Sequence, residues 1–227
     1  MKKETNVYRY ELHCHSSEIS PCGRLKAEKL AELYIRAGYS GIVLTDHFRK
    51  DLIESLPGKD WKEKRISMLE PYRRLKKRYE NTDFWIGRGL ELRFGTNEND
   101  FLLYGFAEEL FLEEGERWPF MTLGEFYKAY KNQMLIIQAH PNRDEICFPE
   151  SLEYLHGIEV KNTCPRHENH NDRSRKMADE YPRLIATGGS DCHRPEDVAG
   201  SGIGTVDLIS TDQELSQRLR AREYRIL

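Results

Sequence analysis

Short apolar runs alternate along this chain with longer amphipathic stretches. Tyr8 to Leu12, Gly41 to Leu44, Phe84 to Leu90, Met134 to Gln138 and Leu184 to Ala186 read as strands, because apolar runs of this length bounded by turn residues suit buried strands. Gly157 to Val160 reads as a further short strand, and Gly202 to Val206 as one that closes the sheet into a barrel. Between them, Leu25 to Ala37 sets Leu30, Leu33 and Tyr34 at helical spacing, with Gly38 as the stop. Trp61 to Tyr79 predicts a long basic helix carrying Met68, Leu69, Tyr72 and Leu75. Pro71 predicts a kink or a break in it, since proline has no N–H for the preceding turn. Thr122 with Glu125 is a capping-box signature for a helix to Lys131, and Thr211 with Glu214 repeats it. Glu168 to Glu180 is the remaining helix candidate. Leu110 to Phe120 mixes acidic and aromatic residues and predicts an irregular surface connection. Alternating strands and helices predict an α/β fold, and 227 residues fit one domain.

The strand runs share a second property: each is followed by metal-binding side chains. The clusters are His13-Cys14-His15, Asp46-His47, Glu91, His140 and Asp191-Cys192-His193. Side chains at i and i+2 of a strand share a face, so His13 and His15 point together and Cys14 points away. Asp191 and His193 repeat that spacing after Gly188-Gly189, with Cys192 read as a buried thiol. Asp191 is expected to join His13 and His15 on one metal, and His193 to face another metal or act through its second nitrogen. Each cluster alone has a structural explanation as a packed histidine or a paired acid. Five at the same strand position converge on one end of a barrel. Imidazole and carboxylate donors suit zinc, manganese or iron. Asp46 is read as a support for an imidazole or a proton-transfer group.

Taken in order, His13-Cys14-His15, Thr45-Asp46-His47, Gly89-Leu90-Glu91, Ala139-His140-Pro141 and Ser190-Asp191-Cys192-His193 resemble the PHP family, named for its polymerase and histidinol phosphatase members. The resemblance covers almost the whole chain. It implies a distorted (β/α)7 TIM-like barrel and phosphoester hydrolysis by metal-activated water, with two or three divalent ions. The metal ligands it implies are His13, His15, His47, Glu91, His140, Asp191 and His193, with Glu91 bridging two ions. The chain departs from the family pattern at two places. No histidine follows several residues after His15, where Glu18 or Cys22 could substitute and Glu18 is preferred. No histidine follows shortly after Glu91, where Asp100 is the candidate. Two metals are the central expectation, with a third possible.

A phosphate also calls for cationic donors, and arginine offers a matching fork. Arg143 and Arg194 follow His140 and His193 closely and are the preferred candidates, with Arg93, Lys161 and Arg166 near other strand ends. The leaving-group proton is assigned to Asp46, His193 or a metal-bound water. His156, His167 and His170 read as turn or loop residues.

Composition narrows the partners. The formal net charge of -3, with both signs abundant, argues against nonspecific duplex binding. A small phosphorylated substrate is expected, and a short nucleic acid is less favoured. No apolar stretch approaches the ~18 residues of a membrane span, and Met1 to Asn6 has no apolar core of a secretory signal. Five scattered cysteines without a CxxC pair point to a reducing cytoplasm. None has arginine six residues later, which excludes a cysteine phosphatase, and no Asp-x-Asp pair supports an aspartyl-phosphate enzyme. Amide hydrolysis is the second reading, since amidohydrolases also open with His-x-His and end with a barrel-strand aspartate. A noncatalytic metal-binding module is the third.

Overall fold

A computed structural model describes residues 7–227. The Met1–Asn6 segment, read above for a secretory signal, lies outside the described residues. The strands are β1 (Tyr8–Cys14), β2 (Gly41–Leu44), β3 (His47–Phe48), β4 (Trp85–Arg93), β5 (Asp100–Tyr104), β6 (Leu135–Gln138), β7 (Gly157–Asn162), β8 (Ile185–Gly189), β9 (Ile203–Thr205) and β10 (Arg225–Ile226). The helices are α1 (Ala27–Arg36), α2 (Lys50–Ser55), α3 (Trp61–Tyr79), α4 (Glu108–Glu114), α5 (Leu123–Tyr130), α6 (Asn171–Glu180) and α7 (Asp212–Ala221).

The sheet order is β10-β9-β1-β2-β4-β5-β6-β7-β8, with β3 on the side of β4. The ends of the seven-strand wall, β1 and β8, meet through a parallel bridge between Cys14 and Cys192. There the His15 N–H donates to the Cys192 carbonyl at 3.0 Å and the Cys192 N–H to the His13 carbonyl at 3.2 Å. The result is the expected α/β architecture, a distorted and nearly closed barrel.

Two strand assignments change. β9 does not close the barrel: it pairs antiparallel with the N-terminal half of β1, from Tyr8 to Tyr10, and β10 lies beyond it. β5 runs antiparallel to both β4 and β6, because residues 94–99 form a short hairpin where a parallel neighbour needs a longer crossover. That reversal brings the first residue of β5, Asp100, to the end of the barrel where the other strands finish.

α3 runs unbroken through Pro71, with the Asp60 carboxylate accepting from the Glu63 N–H at 2.8 Å. Buried Met68, Leu69, Tyr72 and Leu75 hold it to the core on both sides of the proline, which offsets the lost backbone bond. Thr122 and Glu125 make the expected reciprocal cap on α5, and Thr211 caps α7 through the Glu214 N–H at 3.0 Å. The segment Leu110 to Phe120 is not an irregular surface connection. It is most of α4 and a following 3-10 turn, with Phe111 and Trp118 fully buried and Glu113, Glu116 and Arg117 turned outward. Trp118 meets Phe48, Phe106, Phe111, Phe126 and Tyr130 at ring-centroid distances between 5.5 and 6.3 Å. This aromatic cluster underlies β3, and so the residue beside Phe48, His47. Among the described residues, no helix is long and apolar enough to cross a membrane.

Candidate metal centre

His13 and His15 leave β1 on the same side, as strand alternation requires, while Cys14 is buried in the packing beneath α1. Glu91 stands at the centre. Its Oε1 lies 3.2 Å from His13 Nε2 and 3.0 Å from His140 Nε2. Its Oε2 lies 3.4 Å from His15 Nε2 and 2.6 Å from His47 Nδ1. Each oxygen of one carboxylate therefore faces a different pair of imidazoles. Asp191 Oδ1 lies 3.1 Å from His15 Nε2, 3.5 Å from His13 Nε2 and 3.3 Å from His193 Nδ1. The His193 ring stacks on that of His15 at a centroid distance of 4.3 Å. All seven residues implied as ligands are thus brought together.

These groups fit divalent cations. His13 Nε2 and His15 Nε2 are buried without a hydrogen-bond partner, an arrangement that costs free energy unless a ligand satisfies it. The sets His13, Glu91, His140 and His13, His15, Asp191 and His15, His47, His193 each bring ligand atoms within 4.8 Å of one another. Two ligand positions are also strained. His140 has φ +28° and Asp191 φ +52°, left-handed conformations that non-glycine residues adopt at a cost and that cluster at functional sites. Asp191 therefore does not continue a regular strand as its spacing predicts: β8 ends at Gly189, and the bridge at Cys192 restores the direction.

A second layer aims the ligands. Glu159 Oε1 bonds His13 Nδ1 at 3.0 Å, leaving Nε2 to face the centre, and Glu159 Oε2 accepts from the His140 and Asn162 side of the site. Glu11 accepts from the backbone N–H groups of His13 and Ser190 and from the hydroxyls of Ser190 and Tyr34. Burial pushes the Glu11 carboxyl up to about 7 despite those bonds. Neither acid was singled out from sequence. The available signal is a lone acid inside an apolar strand, Tyr10-Glu11-Leu12 and Ile158-Glu159-Val160. Asp46 accepts from Ser16 N at 2.6 Å and from the Ser16 and Ser20 hydroxyls at 2.8 Å. Ser20 Oγ in turn lies 3.3 Å from His15 Nδ1.

Several other candidates hold partners of their own. Glu18 is taken by the first N–H of α1 and by Arg74 at 2.7 Å, and it joins none of the close ligand sets. Asp100 stands directly across the β4–β5 hairpin from Arg93, which binds both its oxygens at 2.8 and 2.7 Å. It stays 3.9 Å from His140 Nε2. Arg194 is 43% exposed and turned toward Glu196, because Asp197 captures the His193 and Arg194 N–H groups and holds the turn that way. Arg166 is bound by Asp197, and Lys161 by the Leu227 carbonyl. Arg143 does reach the site: its Nη2 binds Asp191 Oδ2 and its Nε donates to Asn169 at 2.8 Å. His167 and His170 pair with loop acids, and His156 accepts the Ile136 N–H.

Residues 168–224 match the family model described as PHP-associated, a stretch that includes Asp191 and His193. The whole chain is similar to known structures in fold alone. Its fold is shared with a two-domain protein from Bacteroides vulgatus containing a predicted PHP-like metal-dependent phosphoesterase (TM-score 0.69, 14% identity, 98% of this chain covered). The chain spans only 65% of that protein's length. PsfC from Pseudomonas syringae is similar at a TM-score of 0.71 and 15% identity, covering 98% of this chain and 91% of that one. An amidohydrolase from Chromobacterium violaceum, with sulfate and no metal, is similar at 0.51 and 17%, covering 96% and 97%. No curated protein sequence matches the chain.

The electrostatics of the centre predict linked protons. Burial disfavours charge on His13 and His47, but Asp191, Glu159 and Glu91 around the first, and Glu91 beside the second, raise both well above the usual imidazole range. Burial and Arg143 oppose the proton on His140, yet its bonds to Cys147 and Glu91 hold it at about 9. These groups carry protons at neutral pH in the metal-free protein, and a metal must displace them. Metal affinity is therefore expected to rise with pH. Titration calorimetry in buffers of different ionisation enthalpy should show net proton release at pH 7, and a buffer-independent heat would contradict this.

Proposed function

We propose that this protein hydrolyses a phosphate monoester using divalent ions held by His13, His15, His47, Glu91, His140, Asp191 and His193. The observation that carries the reading is the divided Glu91 carboxylate, with His13 and His140 on one oxygen and His15 and His47 on the other. That is the donor arrangement suited to a carboxylate shared between two ions. When bound, such ions supply Lewis-acid charge for a phosphoryl oxygen and lower the pKa of a water nucleophile.

The chain's own residues do the positioning. Glu159 and Glu11 hold the first-strand histidines and the Asp191 turn, and the Asp46–Ser20 pair holds the ring of His15. Arg143, anchored by Asp191 and Asn169, keeps part of its fork for a non-bridging phosphate oxygen. Only His47, Arg143 and His193 reach solvent appreciably among these groups, at 15%, 12% and 11%. A mouth of that kind favours a terminal phosphate entering end-on over an internal diester. It suits the small phosphorylated substrate expected from the charge balance.

Amide hydrolysis is the second reading, favoured by the similarity to the Chromobacterium amidohydrolase. Against it, Glu91 occupies the mid-chain place where amidohydrolases often use a bridging lysine. The test is turnover of an aryl phosphate monoester and of an aryl amide by chelator-treated protein, before and after adding manganese or zinc. Phosphate release that depends on added metal, with no amide cleavage, is expected. Amide cleavage alone would overturn the proposal.

A further inference from the structure

The segment after β6 turns a thiol back onto a histidine of the metal centre. The Arg143 carbonyl accepts from the N–H groups of Ile146 at 2.9 Å and Cys147 at 3.0 Å, and the Asn99 side chain accepts from the Phe148 N–H at 3.1 Å. Held from both sides, Cys147 is buried while its neighbours Ile146 and Phe148 stay exposed. Its Sγ lies 3.8 Å from His140 Nδ1 and 3.7 Å from the Glu98 carbonyl oxygen. The other nitrogen of that ring, Nε2, faces Glu91 Oε1 at 3.0 Å. His13, His15 and His193 show a matching arrangement, with Nδ1 on the Glu159 carboxylate, the Ser20 hydroxyl and the Asp191 carbonyl. Histidines that hold metals donate their second N–H in this way. Of these four rings, His140 is the one whose partner is sulfur, and a thiol can both accept and donate.

We propose that Cys147 is a positioning residue for His140: the ring Nδ1–H donates to the thiol sulfur and the S–H donates to the Glu98 carbonyl, which leaves the Nε2 lone pair for an ion held with His13 and Glu91. The inference rests on the metal-centre reading above. The relay does two things. It selects the tautomer, because a thiol whose own proton is held by a carbonyl can only accept from the ring. It also braces a strained residue. His140 has φ +28°, a conformation that persists only where its surroundings fix it. The Glu159 carboxylate does this at the His140 backbone N–H, at 3.0 Å, and Cys147 does it at the ring. Through the Glu98 carbonyl, the ring is tied to the hairpin that brings Asp100 to this end of the barrel.

Two substitutions separate the hydrogen bonds from packing, and neither readout needs turnover. Cys147→Val fills the space without a donor or an acceptor, and Cys147→Ser keeps both. In zinc-loaded protein with isotope-labelled histidine, long-range proton–nitrogen spectra should show His140 with its proton on Nδ1, protected from solvent exchange. Cys147→Val should speed that exchange and lower zinc affinity at the position shared by His13 and His140 by about 10-fold or more, the range for outer partners of metal ligands. Cys147→Ser should recover most of both. The reverse order, with valine like the unaltered protein and serine impaired, would show that Cys147 only fills space. That result, or a zinc-bound protein with the His140 proton on Nε2, would overturn the relay and leave the metal centre standing. Zinc that binds nowhere in the unaltered protein would overturn both.

Discussion

Glu91→Gln is expected to lower metal-dependent phosphate release by at least about 10³-fold, equivalent to roughly 4 kcal/mol of transition-state stabilisation at 1.36 kcal/mol per decade. The substitution keeps the volume of the side chain and removes its charge. It also turns one of two acceptor oxygens into an NH2 donor facing imidazoles. Burial alone would push the Glu91 carboxyl up, yet His47 and His13 overcome it and hold it well below the usual carboxylate range. The carboxylate therefore stays charged through the pH range in which an ordinary glutamate would take up its proton. Unchanged circular dichroism would separate this loss from unfolding. Activity within a few-fold of the unaltered protein would show that Glu91 is a paired strand residue and not a shared ligand.

The second large effect falls on stability. Trp118→Ala is expected to cost about 3–5 kcal/mol, the range for truncating a buried aromatic, measured by urea unfolding. The indole is fully buried among Phe48, Phe106, Phe111, Phe126 and Tyr130. The surrounding rings come from β3, α4, α5 and the segment after β5, so few of them can shift to refill the space. Phe48 follows His47, and β3 pairs His47 with Glu91 in register. Loss of the indole should therefore also weaken metal binding at the mouth. A cost below about 1 kcal/mol would place Trp118 in a loosely packed layer and contradict the core described above.

These two residues mark what the amino-acid order discloses and what it does not. Glu91 was legible because a carboxylate closing an apolar strand repeats a position used by four other clusters along the chain. That regularity also carried the barrel, the α/β class and the seven side chains that meet in the structure. Trp118 was hidden by its acidic neighbours, whose outward helical face masks the buried one. The reversal of β5 depends on a hairpin whose residues do not distinguish it from a loop leading to a helix. Residue type alone makes Glu18 and Asp100 the stand-in candidates. Their partners in the structure, Arg74 and Arg93, come from α3 and from the facing strand, and no local pattern reports that pairing. Glu11 and Glu159 were overlooked for the converse reason: each is a single acid in a strand, informative only once three-dimensional neighbours are known.

Elemental analysis of protein purified without chelator, comparing the unaltered chain with Glu91→Gln, tests the central claim most directly. Two or three divalent ions per chain in the first, and a loss of at least one in the second, are the predicted result. Protein that takes up no metal even after reconstitution with zinc, manganese or iron would contradict it.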